Sequence, residues 1–319
     1  MTRSVIIATG SYLPEKIVTN HDLAQRMDTS DEWIRERTGI KQRHLAAEGE
    51  FTSHLATRAA QAALANAKLT AADIDGIVVG TSTPDLTMPS VAAKVQAALG
   101  ISKGAAVDVA AACTGFVSAL SVAHGWIATG VATRVLVIGA ETMSRILDWN
   151  DRGTCILFGD GAGAVILEAQ ENTGRGIKAI SLEAQGEHAV LLGTNGGTSS
   201  TQTAGHLFMQ GQEVFRHGVE KMTNVTLSTL EKAGLKLEQI NWLVPHQANA
   251  RMIKMIGRQL KLPEEKCVVT VDLHANTSAA TIPLALDVAV RDGRIKQGDI
   301  VAMPALGAGL TWGCCVVSW

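Results

Sequence analysis

The sequence lacks any marked excess of one charge: 28 Lys and Arg stand against 30 Asp and Glu, a formal net charge of −2. No global basic field is therefore available to hold nucleic acid. It lacks a cysteine framework, since five cysteines without regular spacing suit a reducing cytosol better than a set of disulfides. Long apolar runs are missing as well. The opening MTRSVIIATGSYLP is too short in apolar residues for a signal peptide, and no segment is long enough to span a bilayer. The expectation is a soluble, cytoplasmic protein with no nucleic acid, membrane or metal partner. Only Gly193 to Gly205 (GTNGGTSSTQTAG) reads as a loop-like, low-complexity stretch.

What is present is a generous interior. Hydrophobic residues make up 46% and charged residues 18% of 319 residues, enough for two linked halves with a large core. The organising stretch runs from Gly104 to Ala128, GAAVDVAAACTGFVSALSVAHGWIA. A short strand (Val107 to Val109) stops at three alanines, Cys113, Thr114 and Gly115, and a helix of almost uncharged residues follows. That turn places Cys113 at the positive end of the helix, where a thiolate is favoured. The alanines leave room for a second backbone to approach the sulfur. The same placement suits a small buried thiol filling a core gap, and the stretch alone leaves both readings open.

Before it, Thr19 or Asn20 caps a short helix, and Thr29 with Glu32 has capping-box spacing for a second, TSDEWIRERTG. Trp33 and Arg37 share a face there, as a stack for a flat base or as core packing beside a solvated arginine. Helices are expected over Ser53 to Ala67 and Val91 to Leu99, and strands over Ile74 to Gly80 and Val135 to Gly139. The polar segment Asp148 to Asp160 reads as a surface loop. Further on the pattern returns. TLEKAGLKLEQINWLV (229–244) falls on ALANAKLTAADIDGIV (63–78), Val271-Asp272 on Val107-Asp108, and Ile300 to Ala305 on Val135 to Ala140. A duplicated βαβαβ unit follows from this, with halves packed face to face. His246 then ends a second-half strand and Asn276 falls on Ala112, so three reactive side chains sit at matching strand ends, where ligands of open α/β sheets collect. A basic stripe, Arg251, Lys254, Arg258 and Lys261, begins five residues after His246. It is either an acidic partner's landing site or a solvated helix face.

The motifs TSDEWIRERTGI, DVAAACTGF, DRGT with FGDGAGA, LVPHQAN, HANTSAAT and GAGLTWG resemble the thiolase-fold condensing enzymes. Among these the chain is most similar to the β-ketoacyl-acyl carrier protein synthase III family. The resemblance implies a layered αβαβα fold in two halves, residues 1–172 with the cysteine and 173–319 with the histidine and asparagine. It implies that Cys113 accepts an acyl group from acyl-CoA, that His246 and Asn276 direct the thioester carbonyl of malonyl-acyl carrier protein as hydrogen-bond donors, and that the N–H groups of Cys113 and Ala308 form the oxyanion hole. It implies coenzyme A contacts at Thr29, Trp33, Arg37, Arg152, Gly211 and Asn249, and an acyl pocket at Met88 and Phe158. Carrier-protein contacts would fall at Arg216, Gln247, Ala248, Asn249, Ala250, Arg251, Lys254 and Arg258. It further implies a homodimer and no cofactor, acyl-CoA being a substrate. The chain departs from the family pattern in reading GAG for GGG, HAN for HGN and Met88 for Phe, the last of which suggests tolerance of acyl chains longer than acetyl. A thiolase would need a second cysteine where Leu306 stands. A secondary-metabolite synthase would keep Cys113, His246 and Asn276, whereas a non-catalytic synthase subunit would usually have lost the cysteine.

Overall fold

The computed structural model describes residues 2–171 and 173–319. Two sheets carry the repeat. In the first, the strands run Arg3–Tyr12, Asp160–Gln170, Arg134–Thr142, Gly76–Gly80, Ala105–Val109 across the sheet, with the first two junctions antiparallel and the last two parallel. The second runs Gly176–Ala184, Thr311–Ser318, Ile300–Gly307, Trp242–Leu243 with the same sequence of antiparallel and parallel junctions. Its fifth position is a single parallel bridge from Leu243 to Cys267. The duplication read in the sequence is thus a duplication of topology, one strand worn down to a bridge.

Five layers follow from which faces are apolar. Helix Gly115–Ala128 is apolar almost all round, and such a helix must be covered on every side. Phe116, Val117 and Leu120 pack with Val78 and Val137 of one sheet and with Met303 and Cys315 of the other, beside Ile282 and Leu286 of helix Thr281–Arg291. Helices Thr52–Ala67 and Val91–Leu99 cover the outer face of the first sheet through Leu55, Ala59, Ala63 and Val95. Helices Gly211–Lys232 and Ala250–Gln259 cover the second through Met222, Val225 and Ile256. Strands such as RVLVIGAET (134–142), buried on both faces, read as continuous apolar runs for this reason.

Three local readings are corrected. Ser30, not Thr29, caps helix Asp31–Thr38, its hydroxyl accepting from the Trp33 N–H at 3.0 Å. The polar stretch Asp148 to Asp160 turns inward: Arg152–Cys155 is a helical turn, and Cys155, Ile156, Phe158 and Asp160 are buried. The stretch Gly193 to Gly205 is flanked by a two-stranded hairpin, Leu192–Thr194 against Leu207–Met209. The boundary between the expected halves, Asn172, lies outside the described residues.

Candidate active site

A cavity of about 280 Å³ brings the three reactive side chains together, its lining including Cys113, His246 and Asn276. Short turns set this up in both halves. Ala112–Thr114 precedes helix Gly115–Ala128, and Ser278–Ala280 precedes helix Thr281–Arg291. Ala112 (φ 46°) and Ser278 (φ 50°) bend the chain in the same way at the start of each turn. The counterpart of Ala112 is therefore Ser278, and Asn276 lies two residues earlier than the sequence alignment put it. Gly307 closes the site from the side. A Cβ there would stand 2.6 Å from the Cys113 nitrogen and 3.1 Å from that of Thr114, so only glycine lets the 307–309 loop lie against the cysteine turn. Ala308, next in that loop, lines the cavity and has none of the positive-φ strain that a glycine would relieve.

The sulfur does not rest as a thiolate. Burial pushes the Cys113 thiol from 9.0 up to about 12; the side chain of Ser278 opposes this and the charge of Glu141 adds to it. A helix N-terminus offers an anion at most about 2 kcal/mol, against roughly 4 kcal/mol for that displacement. Burial thus opposes the thiolate that the helix N-terminus favours.

His246 and Asn276 are oriented by one stretch of chain. Asn276 Oδ1 accepts the Ser278 N–H at 2.9 Å, so its Nδ2 is the group left to donate. His246 Nδ1 lies 2.7 Å from Thr281 Oγ1, and that hydroxyl gives its single hydrogen to the Ser278 carbonyl at 2.9 Å. His246 is thereby anchored to the helix that follows Asn276. Burial holds His246 down to about 3, which keeps the ring neutral. Behind them Ser278 Oγ donates to Glu141 Oε1 at 3.0 Å. The Glu141 carboxylate also receives Thr83 Oγ1 at 2.6 Å and the Ser82 N–H at 3.0 Å. Asn276 is pinned along its backbone as well: its N–H donates to Leu157 O and its carbonyl accepts from the Gly159 N–H. The 156–159 segment is held by fully buried Arg43, whose Nη2 donates to Ile156 O at 2.7 Å.

The mouth is polar. Gly211, Phe215 and Asn249 line both the cavity and an outer pocket that Arg37 and Arg251 share. Asn249 caps helix Ala250–Gln259 through Oδ1 to the Met252 N–H, and its amide nitrogen has no partner among the described residues. The half-buried Trp33 ring packs against the core and has the guanidinium of Arg37 4.4 Å and that of Arg152 4.8 Å from its centroid. Thr29 Oγ1 is buried with no partner among the described residues. Phe158 lines the cavity, whereas Met88 does not; it stands 79% exposed on the loop before helix Val91–Leu99. Arg251, Lys254 and Arg258 share an exposed face, with Lys254 tied to Glu264 at 2.8 Å, and Arg216 is exposed and paired with Glu213. Ala248 lines the cavity and Ala250 packs on Gly39. Gln247 is a correction. It is buried, donates to Pro245 O and Val268 O and accepts the Thr270 and Val271 N–H groups, so it splices chain segments and cannot meet a partner protein.

Sequence reasoning missed Ser278, Thr281 and Glu141, and the apolar walls Leu207, Met209 and Val214. Two signals pointed to the polar three: a charge inside the apolar strand VLVIGAE, and a run of hydroxyls following Asn276 in HANTSAAT. Among the described residues no group of three or more His, Cys, Asp or Glu is placed to hold a metal ion.

Comparison with known proteins fits this geometry. A family model described as 3-oxoacyl-[acyl-carrier-protein] synthase III matches residues 107–186, and one for the C-terminal part of the same proteins matches 230–319. A beta-ketoacyl-[acyl-carrier-protein] synthase III of Bradyrhizobium diazoefficiens is 58% identical over 99% of both chains. One from Paracoccus denitrificans is 56% identical over the whole of both. The crystal structure of 3-oxoacyl-[acyl-carrier-protein] synthase III from Aquifex aeolicus superposes with a TM-score of 0.94 at 44% identity, over 99% of this chain and 100% of that one.

Proposed function

The chain belongs to the β-ketoacyl-[acyl-carrier-protein] synthase III family, and from that premise we propose how its residues divide the reaction. It is an acyltransferase, the condensing enzyme that initiates fatty acid synthesis. The reaction joins an acyl-CoA primer to malonyl-acyl carrier protein with loss of carbon dioxide. In our reading the Cys113 sulfur attacks the acyl-CoA carbonyl while the N–H groups of Cys113 and Ala308 hold the oxyanion, each such donor being worth about 3 kcal/mol of barrier. Coenzyme A leaves past Asn249 and Gly211, its adenine entering between Trp33 and Arg152, with Arg37 and Thr29 beside it. The malonyl thioester follows by the same route. Asn276 Nδ2 donates to its carbonyl as carbon dioxide departs, and the carbanion attacks acyl-Cys113. Decarboxylation itself generates the carbanion, so no strong base and no resident cofactor are called for.

The observation that carries this reading is the single cavity holding Cys113 from one repeat, and His246 and Asn276 from the other. Three further parts belong to the proposal. The halves 1–172 and 173–319 are the two repeats, the cytoplasm is the site of action, and the enzyme works as a homodimer. Strand Ala105–Val109 supports the dimer: it is the open edge of its sheet, with Val107 exposed, and Leu86 and Met88 are exposed on the loop before helix Val91–Leu99, so Met88 would reach the partner's acyl pocket. The test is incubation with radiolabelled acyl-CoA, then malonyl-carrier protein. Label on Cys113 followed by a 3-oxoacyl product is expected; label that never leaves the enzyme, or never attaches, refutes the reading. Cys113→Ser should abolish attachment.

A further inference from the structure

Glu141 stands near the end of strand Arg134–Thr142, in the first repeat, and is fully buried. The groups around its carboxylate all donate to it. From its own repeat, Thr83 Oγ1 reaches Oε2 at 2.6 Å and Thr81 Oγ1 reaches it at 3.2 Å. The Ser82 N–H bridges both oxygens, at 3.1 and 3.0 Å. The two threonine hydroxyls accept from the Thr142 and Thr83 N–H groups, so their hydrogens are free for the carboxylate. From the second repeat comes Ser278 Oγ, 3.0 Å from Oε1. A buried carboxylate is a poor filler of a core, because desolvation costs it several kcal/mol. Its value lies in what it holds.

What it holds is Ser278, which adopts φ 50°. That left-handed region costs a residue other than glycine about 1–3 kcal/mol, and the conformation persists only where its surroundings over-determine it. The polar groups of Ser278 are all committed. Its N–H donates to Asn276 Oδ1 at 2.9 Å, its carbonyl accepts from Thr281 Oγ1 at 2.9 Å, and its hydroxyl goes to Glu141. Thr281 Oγ1 in turn lies 2.7 Å from His246 Nδ1. Asn276 and His246 thus hang from one residue, fastened by its hydroxyl to the other repeat. We propose that Glu141 is a positioning residue: through the Ser278 hydroxyl it fixes Asn276 and His246 in the geometry that decarboxylation and condensation need. This deepens the synthase reading and rests on it. The cysteine turn is held separately, by the Thr114 N–H on Ala111 O and by Thr114 Oγ1 on Thr311 O, so acylation and condensation should respond differently.

The test uses the full-length protein and three variants, Glu141→Gln, Ser278→Ala and the two combined. Label transfer from acetyl-CoA to Cys113 is measured in a single turnover, and 3-oxoacyl product is then followed with malonyl-carrier protein. Each single change should cut the kcat of condensation about 20- to 100-fold, as a misplacement of up to about 1 Å can. The KM for malonyl-carrier protein and the labelling rate should stay within about threefold of wild type. Both changes break one contact, so the double variant should fall no more than about threefold below the weaker single one, whereas independent effects would multiply. In ¹⁵N spectra the side-chain amide signal of Asn276, assigned by its loss in Asn276→Asp, should shift in both single variants. If Glu141→Gln does not fold, Ser278→Ala decides, since it cuts the same contact from the other side. Wild-type condensation in the single variants, multiplied losses in the double one, or equal losses in the two half-reactions overturns the proposal. If the wild type itself takes no label or forms no product, it is the synthase reading that fails, and the Asn276 signal still judges the contact.

Discussion

Asn276 turns its side-chain oxygen to the Ser278 N–H at 2.9 Å, and this decides that the cavity meets its –NH₂ group. Asn276→Asp keeps the acceptor for Ser278 and replaces the donor by a second oxygen. Removing one donor aimed at developing negative charge typically costs about 10²–10³ in rate. Condensation with malonyl-carrier protein should fall by about that factor, while label transfer from acyl-CoA to Cys113 changes only a fewfold. Equal losses in the two half-reactions would show that Asn276 serves acylation as well.

Gly307 makes a sharper geometric demand. A methyl group there would lie 2.6 Å from the Cys113 nitrogen and 3.1 Å from the Ala112 Cβ, and neither backbone can move without opening the cysteine turn. Gly307→Ala should cost about 1–3 kcal/mol of stability by overpacking and at least tenfold in acylation, since the proposed oxyanion hole uses the Cys113 N–H. Denaturant midpoints and single-turnover labelling check the two effects. Unchanged labelling would mean that the oxyanion is held elsewhere.

Local signals made much of the fold legible. Helix Val91–Leu99 begins after Ser90, whose hydroxyl accepts the Ala93 N–H, and stops at Gly100, whose φ of 73° continues no helix. Both signals are written in adjacent residues, so the boundaries match the expectation. The repeat was legible because its apolar positions recur in order. What the sequence hid depends on contacts between distant segments. Gln247 looked available beside His246, but Val268 and Thr270 supply its partners from across a helix. Thr29 and Ser30 are neighbouring hydroxyls, and only the phase of the helix decides which one caps it. The HAN departure also carries a meaning that no pattern gives: Ala275 adopts φ 58°, ψ −164°, a region nearly reserved for glycine that costs other residues about 1–3 kcal/mol.

The basic face of helix Ala250–Gln259 is uneven, and this makes the carrier-protein reading specific. Lys254 is neutralised by Glu264, while Arg251 and Arg258 form no such ion pair among the described residues. Charges on a rim act chiefly on encounter rates and are screened by salt. Arg258→Glu should raise the KM for malonyl-carrier protein about tenfold at low salt, leave acyl-CoA labelling of Cys113 unchanged, and flatten the salt dependence. Lys254→Ala should do much less. If the two variants behaved alike, the helix face would be merely solvated.

The buried titratable groups give the stability a direction with pH. Burial holds His246 down to about 3; burial, then His44, holds His274 down to about 4 against the pull of Asp272, where an ordinary imidazole sits at 6.5. Below 6.5 the unfolded chain binds protons that the fold refuses. Each ring therefore removes stability as the pH falls, until about 4 for His274 and about 3 for His246. Glu141 works the other way. Burial lifts it from 4.5 to about 7, against the Thr83, Ser82, Ser278 and Thr81 hydrogen bonds, so the fold keeps a proton there that the unfolded chain has lost, and that contribution fades as the pH rises from 4.5 to 7. Between 6.5 and 4.5 two imidazoles oppose one carboxyl, and the net loss on acidification is on the order of 1–2 kcal/mol per pH unit. Urea midpoints should fall steadily from pH 6.5 to 4.5, and His274→Gln should fall less steeply than wild type. A midpoint that stays flat or rises on acidification would mean that these rings take up protons without leaving the fold.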